Sequence, residues 1–205
     1  LQHLHSHESI ISTMMESLQI PLSPSRNLLE QLLEFLSEKS LLLIVDNFEH
    51  ILEGIHILTD IITHTPHVKI LATSRERLNL VEEWVYEVGS LSFPANETET
   101  EIEGYAAVQL FMQNARRVNH GFRLTPTHKT AVSRICRLVG GMPLGIELSS
   151  VWVRVLPCDI IAEEIQRSLD ILETSARNMP PRHRNMRAAF EPTWNRLSED
   201  ERRVF

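Results

Sequence analysis

The sequence lacks several features that define large classes of proteins. No apolar run approaches the roughly 20 residues of a membrane span and no secretory signal is visible, so we expect a cytoplasmic protein without membrane contact. The two cysteines, Cys136 and Cys158, stand in no metal-binding spacing, which predicts buried, reduced thiols. Lys and Arg number 20 against 27 Asp and Glu, a net charge of −7. This balance does not favour non-specific binding to nucleic-acid phosphates.

The clearest functional pattern that is present lies at residues 41–47, which read LLLIVDN. A continuous apolar run of this length is typical of a strand buried on both faces of a parallel sheet. Asp46 then falls at the carboxyl edge of the sheet, where open α/β folds bind ligands. This is the layout of a Walker B strand, whose aspartate holds Mg²⁺ on a nucleotide. Its usual companion, a phosphate loop G-x-x-x-x-G-K-[ST], is absent from residues 1–205, so this sequence contains half of a nucleotide site.

Hydrophobic periodicity predicts an α/β arrangement in the first part of the chain. The predicted elements are helices over 8–19 and 26–38, a strand over 41–46, a helix over 48–64 and a strand over 68–73. Ser25 is the expected N-cap of the second helix. Strand, helix and strand form a βαβ unit, which implies a parallel pair and a right-handed crossover. A third short strand is expected at Trp84–Val88.

After residue 94 the patterns become helical. Pro94 and the acidic, Thr-rich stretch 96–103 are typical of a linker or domain boundary. Thr125 followed by Pro126, and later Pro143, predict helix starts. The predicted helices cover 104–119, Pro126 to Gly140, Pro143 to Pro157, 159–172 and 186–195, followed by a short final helix with a capping box at Ser198 and Glu201. The expected fold class is therefore α/β followed by all-α.

Four stretches occur in a fixed order and carry a family resemblance. They are LLLIVDNFEHIL (41–52), ILATSRERLNL (70–80), GGMPLGIELSS (140–150) and the Arg-rich residues 179–205. Together they resemble the STAND signal-transduction ATPases, which have a P-loop nucleotide-binding module of NB-ARC type. Within that class the chain is similar to the bacterial ATP-dependent transcriptional regulators of the LuxR/AfsR-like kind, and the resemblance covers essentially all of it.

The resemblance implies roles for the residues at the ends of the two strands. Asp46 matches the Walker B aspartate that coordinates Mg²⁺. Asn47 stands where many P-loop ATPases have a second acid that polarises the attacking water. Because an amide takes no proton, the resemblance implies slow hydrolysis, which suits a switch that stays in one nucleotide state. Thr73, Ser74 and Arg75 match the sensor motif, with Arg75 near the γ-phosphate of the nucleotide.

The stretch at 140–150 matches a second nucleotide-contacting motif. Residues 141–144 resemble the GLPL motif, in which Pro143, followed by Leu144, lies against adenine and ribose. Met142 replaces the usual Leu of the motif, a conservative apolar exchange.

The implied domain organisation is that of a module truncated at both ends. Residues 1–94 match the C-terminal part of a P-loop NTPase domain, 95–180 a helical ARC-type subdomain, and 181–205 the start of a winged helix. The phosphate loop and its strand would precede residue 1, so the partial parallel sheet would have unpaired edges. We therefore expect this chain alone to bind neither ATP nor ADP tightly and to be inactive as an ATPase.

Two functions are consistent with this sequence. The first is a nucleotide-dependent molecular switch in signal transduction or transcription, with ATP or ADP and Mg²⁺ as ligands of the intact protein. Self-association or protein partners would then act through repeats outside the chain, and DNA would bind only through a domain outside it. The alternative is a non-enzymatic scaffold or interaction remnant that binds no nucleotide.

Other clusters have simpler interpretations. The alternating histidines at 3, 5 and 7 are not joined by Cys or carboxylates, so we do not expect a metal site there. His56, Asp60 and His64 share one helical face with zinc-compatible spacing, but an exposed polar face is the expected reading. The basic cluster Arg177, Arg182, His183, Arg184 and Arg187 is expected to be interdomain or solvated rather than bound to DNA.

Overall fold

The computed structural model describes residues 7–23, 26–50, 54–173 and 183–187, together with Trp194, Glu199 and Arg203. The chain forms two compact units, Leu1–Glu87 and Val88–Phe205. The α-helices and strands found in the described ranges are α1 (His7–Ser17), α2 (Leu28–Ser37), β1 (Leu41–Val45), α3 (Ile55–His64), β2 (Val68–Ala72), α4 (Ala106–Val118), α5 (Pro126–Leu138), α6 (Pro143–Val151) and α7 (Cys158–Arg167).

The first unit is built on a parallel pair of strands. β1 and β2 pair in register from Leu41 opposite Val68 to Val45 opposite Ala72, with α3 in the connection between them. This confirms the predicted βαβ order and the parallel pair. The apolar stripes of the helices form a core with the inward residues of the strands. The largest fully buried side chains of this core are Ile10, Met15, Leu32, Leu36, Phe48, Ile57, Leu58 and Ile61.

One face of this sheet differs from the expectation of burial on both sides. Leu42, Ile44 and Leu71 are each more than half exposed, whereas Leu43 and Ile70 pack against the core cluster. Alternate side chains of a strand point to opposite faces, and in the described residues only one of these faces is covered. The apolar run therefore contributes a core face and an open apolar face.

The prediction of a strand at Trp84–Val88 is wrong. The described chain has no strand at these residues, and Trp84, Tyr86 and Val88 are almost fully exposed. Aromatic and β-branched residues favour a strand only where a neighbour supplies hydrogen bonds and packing, and this segment has no paired strand beside it.

The N-cap of α2 is Asn27 and not the predicted Ser25, which lies outside the described residues. The Asn27 Oδ1 accepts from the backbone nitrogens of Leu29 at 2.8 Å and Glu30 at 3.3 Å, which satisfies two of the unpaired donors of the first turn.

The second unit is helical and encloses its own core. α4 to α7 bury their apolar faces together around Phe111, Ile135 and Ile146, none of which has exposed surface. Thr125 caps α5 through its hydroxyl, with Pro126 at the first helical position, as the sequence predicts. Pro143 likewise opens α6.

The segment before residue 94 is bound into this second unit. The Leu91 nitrogen donates to the Gly141 carbonyl at 3.0 Å. The Ser92 carbonyl and hydroxyl accept from Ala107 at 3.0 Å and Ala106 at 3.1 Å, so Ser92 caps α4 from a distant point in the sequence. The division between the units therefore falls after Glu87, ahead of the boundary predicted at residue 94.

The stretch 96–103, predicted to be a linker or domain boundary, is packed into the second unit. Ile102 is fully buried. Glu99 accepts from the backbone nitrogen of Ala95 at 2.8 Å and from the Tyr105 hydroxyl at 2.8 Å. Its acidic residues thus form specific contacts that composition alone does not reveal.

The helix predicted over 186–195 begins at Met186 in the described part. Its remainder, and most of the predicted winged-helix start, lie outside the described residues. No α-helix in the described ranges combines the length and apolar character that crossing a bilayer would need.

Candidate functional site

The parallel register brings the ends of β1 and β2 to the same edge of the sheet. Because Val45 lies opposite Ala72, the next residues, Asp46 and Thr73, leave the sheet side by side. The Thr73 hydroxyl donates to the Asp46 Oδ1 at 2.5 Å. The backbone nitrogen of Asn47 donates to the same hydroxyl at 3.0 Å, and the Asn47 Nδ2 donates to the Asp46 Oδ2 at 2.8 Å. The three residues therefore form a closed hydrogen-bonded ring, which we call the edge cluster.

The edge cluster leaves Asp46 able to bind a cation. Each carboxylate oxygen of Asp46 accepts one of these bonds, and a carboxylate has about four acceptor positions. Asp46 and Thr73 are both exposed at the sheet edge. Mg²⁺ is typically bound by one or two carboxylates with waters and phosphate oxygens completing the shell. These oxygen donors therefore fit the magnesium role that the resemblance implies for Asp46.

The backbone at Asn47 turns the chain sharply out of β1. Its φ is +59°, a left-handed conformation that Asn tolerates better than most residues. The turn leads into a 3₁₀ helix, Phe48–His50. The Phe48 nitrogen donates to the Thr73 carbonyl at 2.9 Å, and the Thr73 nitrogen donates to the Val45 carbonyl at 2.9 Å. The chain after β1 is thus fastened to the end of β2.

An ion pair that sequence reasoning missed lies beside this turn. The Glu49 side chain is only 3% exposed, and its Oε1 lies 3.4 Å from the Nε of Arg75, whose side chain is 38% exposed. Glu49 follows the buried Phe48 in a short 3₁₀ turn, and no periodic pattern marks it as a buried acid. The sensor residue Arg75 is therefore held by a carboxylate from the segment that follows β1.

Ser74 takes a local role among the predicted sensor residues. Its hydroxyl accepts from the backbone nitrogen of Glu76 at 3.3 Å, which shapes the turn after β2. The structure thus brings Asp46, Asn47 and Thr73 together in one cluster and joins Arg75 to Glu49.

Pro143 and Leu144 belong to the second unit. The exposed Pro143 is the first residue of α6, and the half-buried Leu144 packs against the core cluster. Two glycines with left-handed φ angles precede them, Gly140 at +58° and Gly141 at +66°. The Gly141 nitrogen donates to the Cys136 carbonyl at 2.9 Å, which ends α5 and sets the direction in which α6 starts.

The other clusters considered in the sequence show no metal geometry where they are described. No group of three or more His, Cys, Asp or Glu side chains in the described ranges is arranged to hold a metal ion. The Nδ1 of His64 donates to the Asp60 carbonyl at 2.8 Å, and His56 is exposed. His3 and His5 lie outside the described residues.

The basic cluster is described only in part. Arg187 pairs with Asp170 at 2.9 Å, and both side chains are largely exposed. Arg177 and Arg182 lie outside the described residues.

Comparison with known proteins identifies relatives of this chain in mycobacteria. The chain is 29% identical over 197 residues, 96% of its length, to proteins of Mycobacterium tuberculosis and Mycobacterium bovis. Their names place them, provisionally, among HTH-type transcriptional regulators. A further Mycobacterium tuberculosis protein, named as uncharacterized, is 30% identical over 152 residues, 73% of this chain and 36% of that protein. No family profile and no solved structure matches the chain. The chain spans only 21% of the length of the named regulators.

Proposed function

We propose that this chain is part of a nucleotide-controlled switch within a transcriptional regulator. The observation that carries the proposal is the edge cluster, in which Asp46, Asn47 and Thr73 meet at the carboxyl ends of two parallel strands. This is where α/β folds bind ligands. The names of the mycobacterial relatives support a role in transcription, with DNA contacted by a domain outside these residues.

Each proposed residue has a defined task. Asp46 would hold Mg²⁺, which when bound neutralises phosphate charge, and Thr73 orients the Asp46 carboxylate through its hydroxyl. Asn47 donates to Asp46 from its amide and cannot act as a general base, so the site would favour a long-lived nucleotide state over rapid turnover. Arg75 would meet the γ-phosphate through charge-assisted hydrogen bonds.

A nucleoside contact is the role proposed for the GLPL-like motif of the second unit. The exposed Pro143 and the neighbouring Leu144 are proposed to lie against adenine and ribose of ATP or ADP. Exchange of the nucleotide would then favour one of two conformations related by a hinge-type change. Domains outside these residues would respond to this change, for example by exposing surfaces for self-association.

The test is Mg²⁺-dependent nucleotide binding by the full-length protein. Asp46→Asn keeps the size of the side chain but removes its charge. We expect a loss of at least about tenfold in affinity for Mg-nucleotide, since even outer-shell substitutions at metal sites cost about 10–100-fold. Asp60→Asn on α3 is the matched control and should bind normally. Unchanged affinity in the Asp46 variant would refute the assignment.

A scaffold function without nucleotide is the second candidate, and one observation favours it. Val81, Trp84 and Tyr86 are almost fully exposed, and exposed apolar surface of this kind is typical of interaction sites. If the full-length protein binds no Mg-nucleotide, while Trp84→Ala weakens its self-association in sedimentation experiments, the scaffold function is correct.

A further inference from the structure

Glu49 is a buried acid that the proposed nucleotide chemistry does not use. A buried carboxylate is costly unless it is paired and hydrogen-bonded. Its 3₁₀ turn is anchored by Phe48, which is fully buried and whose backbone nitrogen donates to the Thr73 carbonyl. The Glu49 carboxylate is thus supported from the end of β2, two residues before Arg75.

Arg75 needs such support to act as a sensor. An arginine side chain has large rotamer freedom, and ordering it at the moment of binding costs affinity. Glu49 engages the Nε of Arg75 at 3.4 Å, at the stem of the guanidinium group. A guanidinium carries five N–H donors in a planar fork, so the contact with Glu49 at Nε engages only one of them.

We propose that Glu49 is a positioning residue for Arg75 and thereby sets the preference of the site for nucleoside triphosphate over diphosphate. The inference rests on the proposed function, in which Arg75 meets the γ-phosphate. Glu49 itself touches no nucleotide and acts only through the arginine that it holds.

The test compares ATP-analogue and ADP affinities of the full-length protein in the presence of Mg²⁺. Glu49→Gln preserves side-chain size and removes the charge that attracts Arg75. We expect the triphosphate preference to fall at least about fivefold, within the usual range of coupling between sites, while ADP affinity changes less than about twofold. Glu87→Gln breaks the exposed Arg77–Glu87 pair of 2.9 Å by the same chemical change and should alter neither affinity.

A second variant keeps the inference testable if Glu49→Gln does not fold. Arg75→Lys retains a positive charge beside Glu49 but lacks the fork, so its ammonium cannot be held at one nitrogen and address phosphate with others. We expect Arg75→Lys to fold, to keep ADP affinity and to lose the triphosphate preference. Where both variants fold, combining them should cause no further loss, because Glu49 acts through Arg75.

The outcomes separate this inference from the proposed function. A wild-type protein without Mg²⁺-dependent nucleotide binding refutes both. A wild-type protein that prefers triphosphate, with the same preference in Glu49→Gln, refutes the positioning role alone. Equal losses for ATP analogue and ADP would make Glu49 merely structural, and an increased preference would make it a restraint on Arg75, so either result also overturns the inference.

Discussion

Replacing Gly141 with Ala should damage the second unit far more than the same change at Gly140. Both glycines have left-handed φ angles, +58° at Gly140 and +66° at Gly141, so an added Cβ costs similar backbone strain at each, about 1–2 kcal/mol. They differ in what the new methyl group meets. At Gly140 no atom of the described residues beyond its chain neighbours lies within 4 Å of it, whereas at Gly141 it would fall 2.3 Å from the Leu91 carbonyl oxygen and 2.6 Å from the Phe93 Cδ1.

The additional cost at Gly141 comes from moving backbone. The segment at Leu91 must shift to relieve the contact, and this breaks the 3.0 Å hydrogen bond from the Leu91 nitrogen to the Gly141 carbonyl. Loss of that bond costs about 1 kcal/mol, and inserting a methyl group into a packed site costs about 1–3 kcal/mol. We therefore expect Gly140→Ala to lower the free energy of unfolding by about 1–2 kcal/mol and Gly141→Ala by about 3 kcal/mol or more.

Urea unfolding followed by circular dichroism measures this difference. Limited chymotrypsin digestion adds a local readout, because a displaced segment should expose the Leu91–Ser92 bond to cleavage in Gly141→Ala and not in Gly140→Ala. If the two variants unfold within about 0.5 kcal/mol of each other and the Leu91–Ser92 bond is equally protected in both, residues 91–93 do not pack closely on the α5–α6 turn.

Two further predictions follow from the ionisable groups of the second unit. Burial raises the pKa of the Cys136 thiol to about 12 and that of Cys158 to about 11, from an ordinary 9.0. Iodoacetamide at pH 8 should therefore modify both at least about 100-fold more slowly in the native protein than in urea; similar rates would contradict their burial. The hydrogen bond from the Tyr105 hydroxyl lowers the pKa of the Glu99 carboxyl below its ordinary 4.5. The bond therefore stabilises the folded protein fully above pH 4.5, and this stabilisation is lost as the pH falls through the folded-state pKa of Glu99. Tyr105→Phe should accordingly melt at lower temperature than wild type at pH 6–7, with the gap closing below about pH 4.5, and a gap independent of pH would refute this linkage.

The features that could be predicted from the sequence are those set by local pattern. The 3.6-residue periodicity, the cap at Thr125 and the helix start at Pro143 depend on neighbouring residues only. The βαβ order also predicted the parallel pair, and the register of that pair places Asp46 beside Thr73. The nucleotide roles of these residues stay predictions.

The features that could not be predicted depend on contacts distant in sequence. Trp84 and its neighbours favour a strand by composition, but strand formation requires a partner. Ser25 and Asn27 are both good capping residues, and only the position of the first turn selects Asn27. Glu49 carries no local mark of burial, because its environment is created by the return of the chain at Thr73 and Arg75.

The burial of Glu49 changes how an alanine scan of this edge must be read. Truncating Arg75 removes a cation from beside a carboxylate that is 3% exposed. Because the Arg75 side chain is itself 38% exposed, solvent reduces the cost below the about 3–5 kcal/mol typical of a fully buried pair. An Arg75→Ala protein that does not bind nucleotide would then reflect a misfolded edge as readily as the loss of the proposed phosphate contact. Neutralising Glu49 in the same molecule removes this charge, so a comparison of the double variant with Glu49→Gln isolates the effect of the arginine on the measured function.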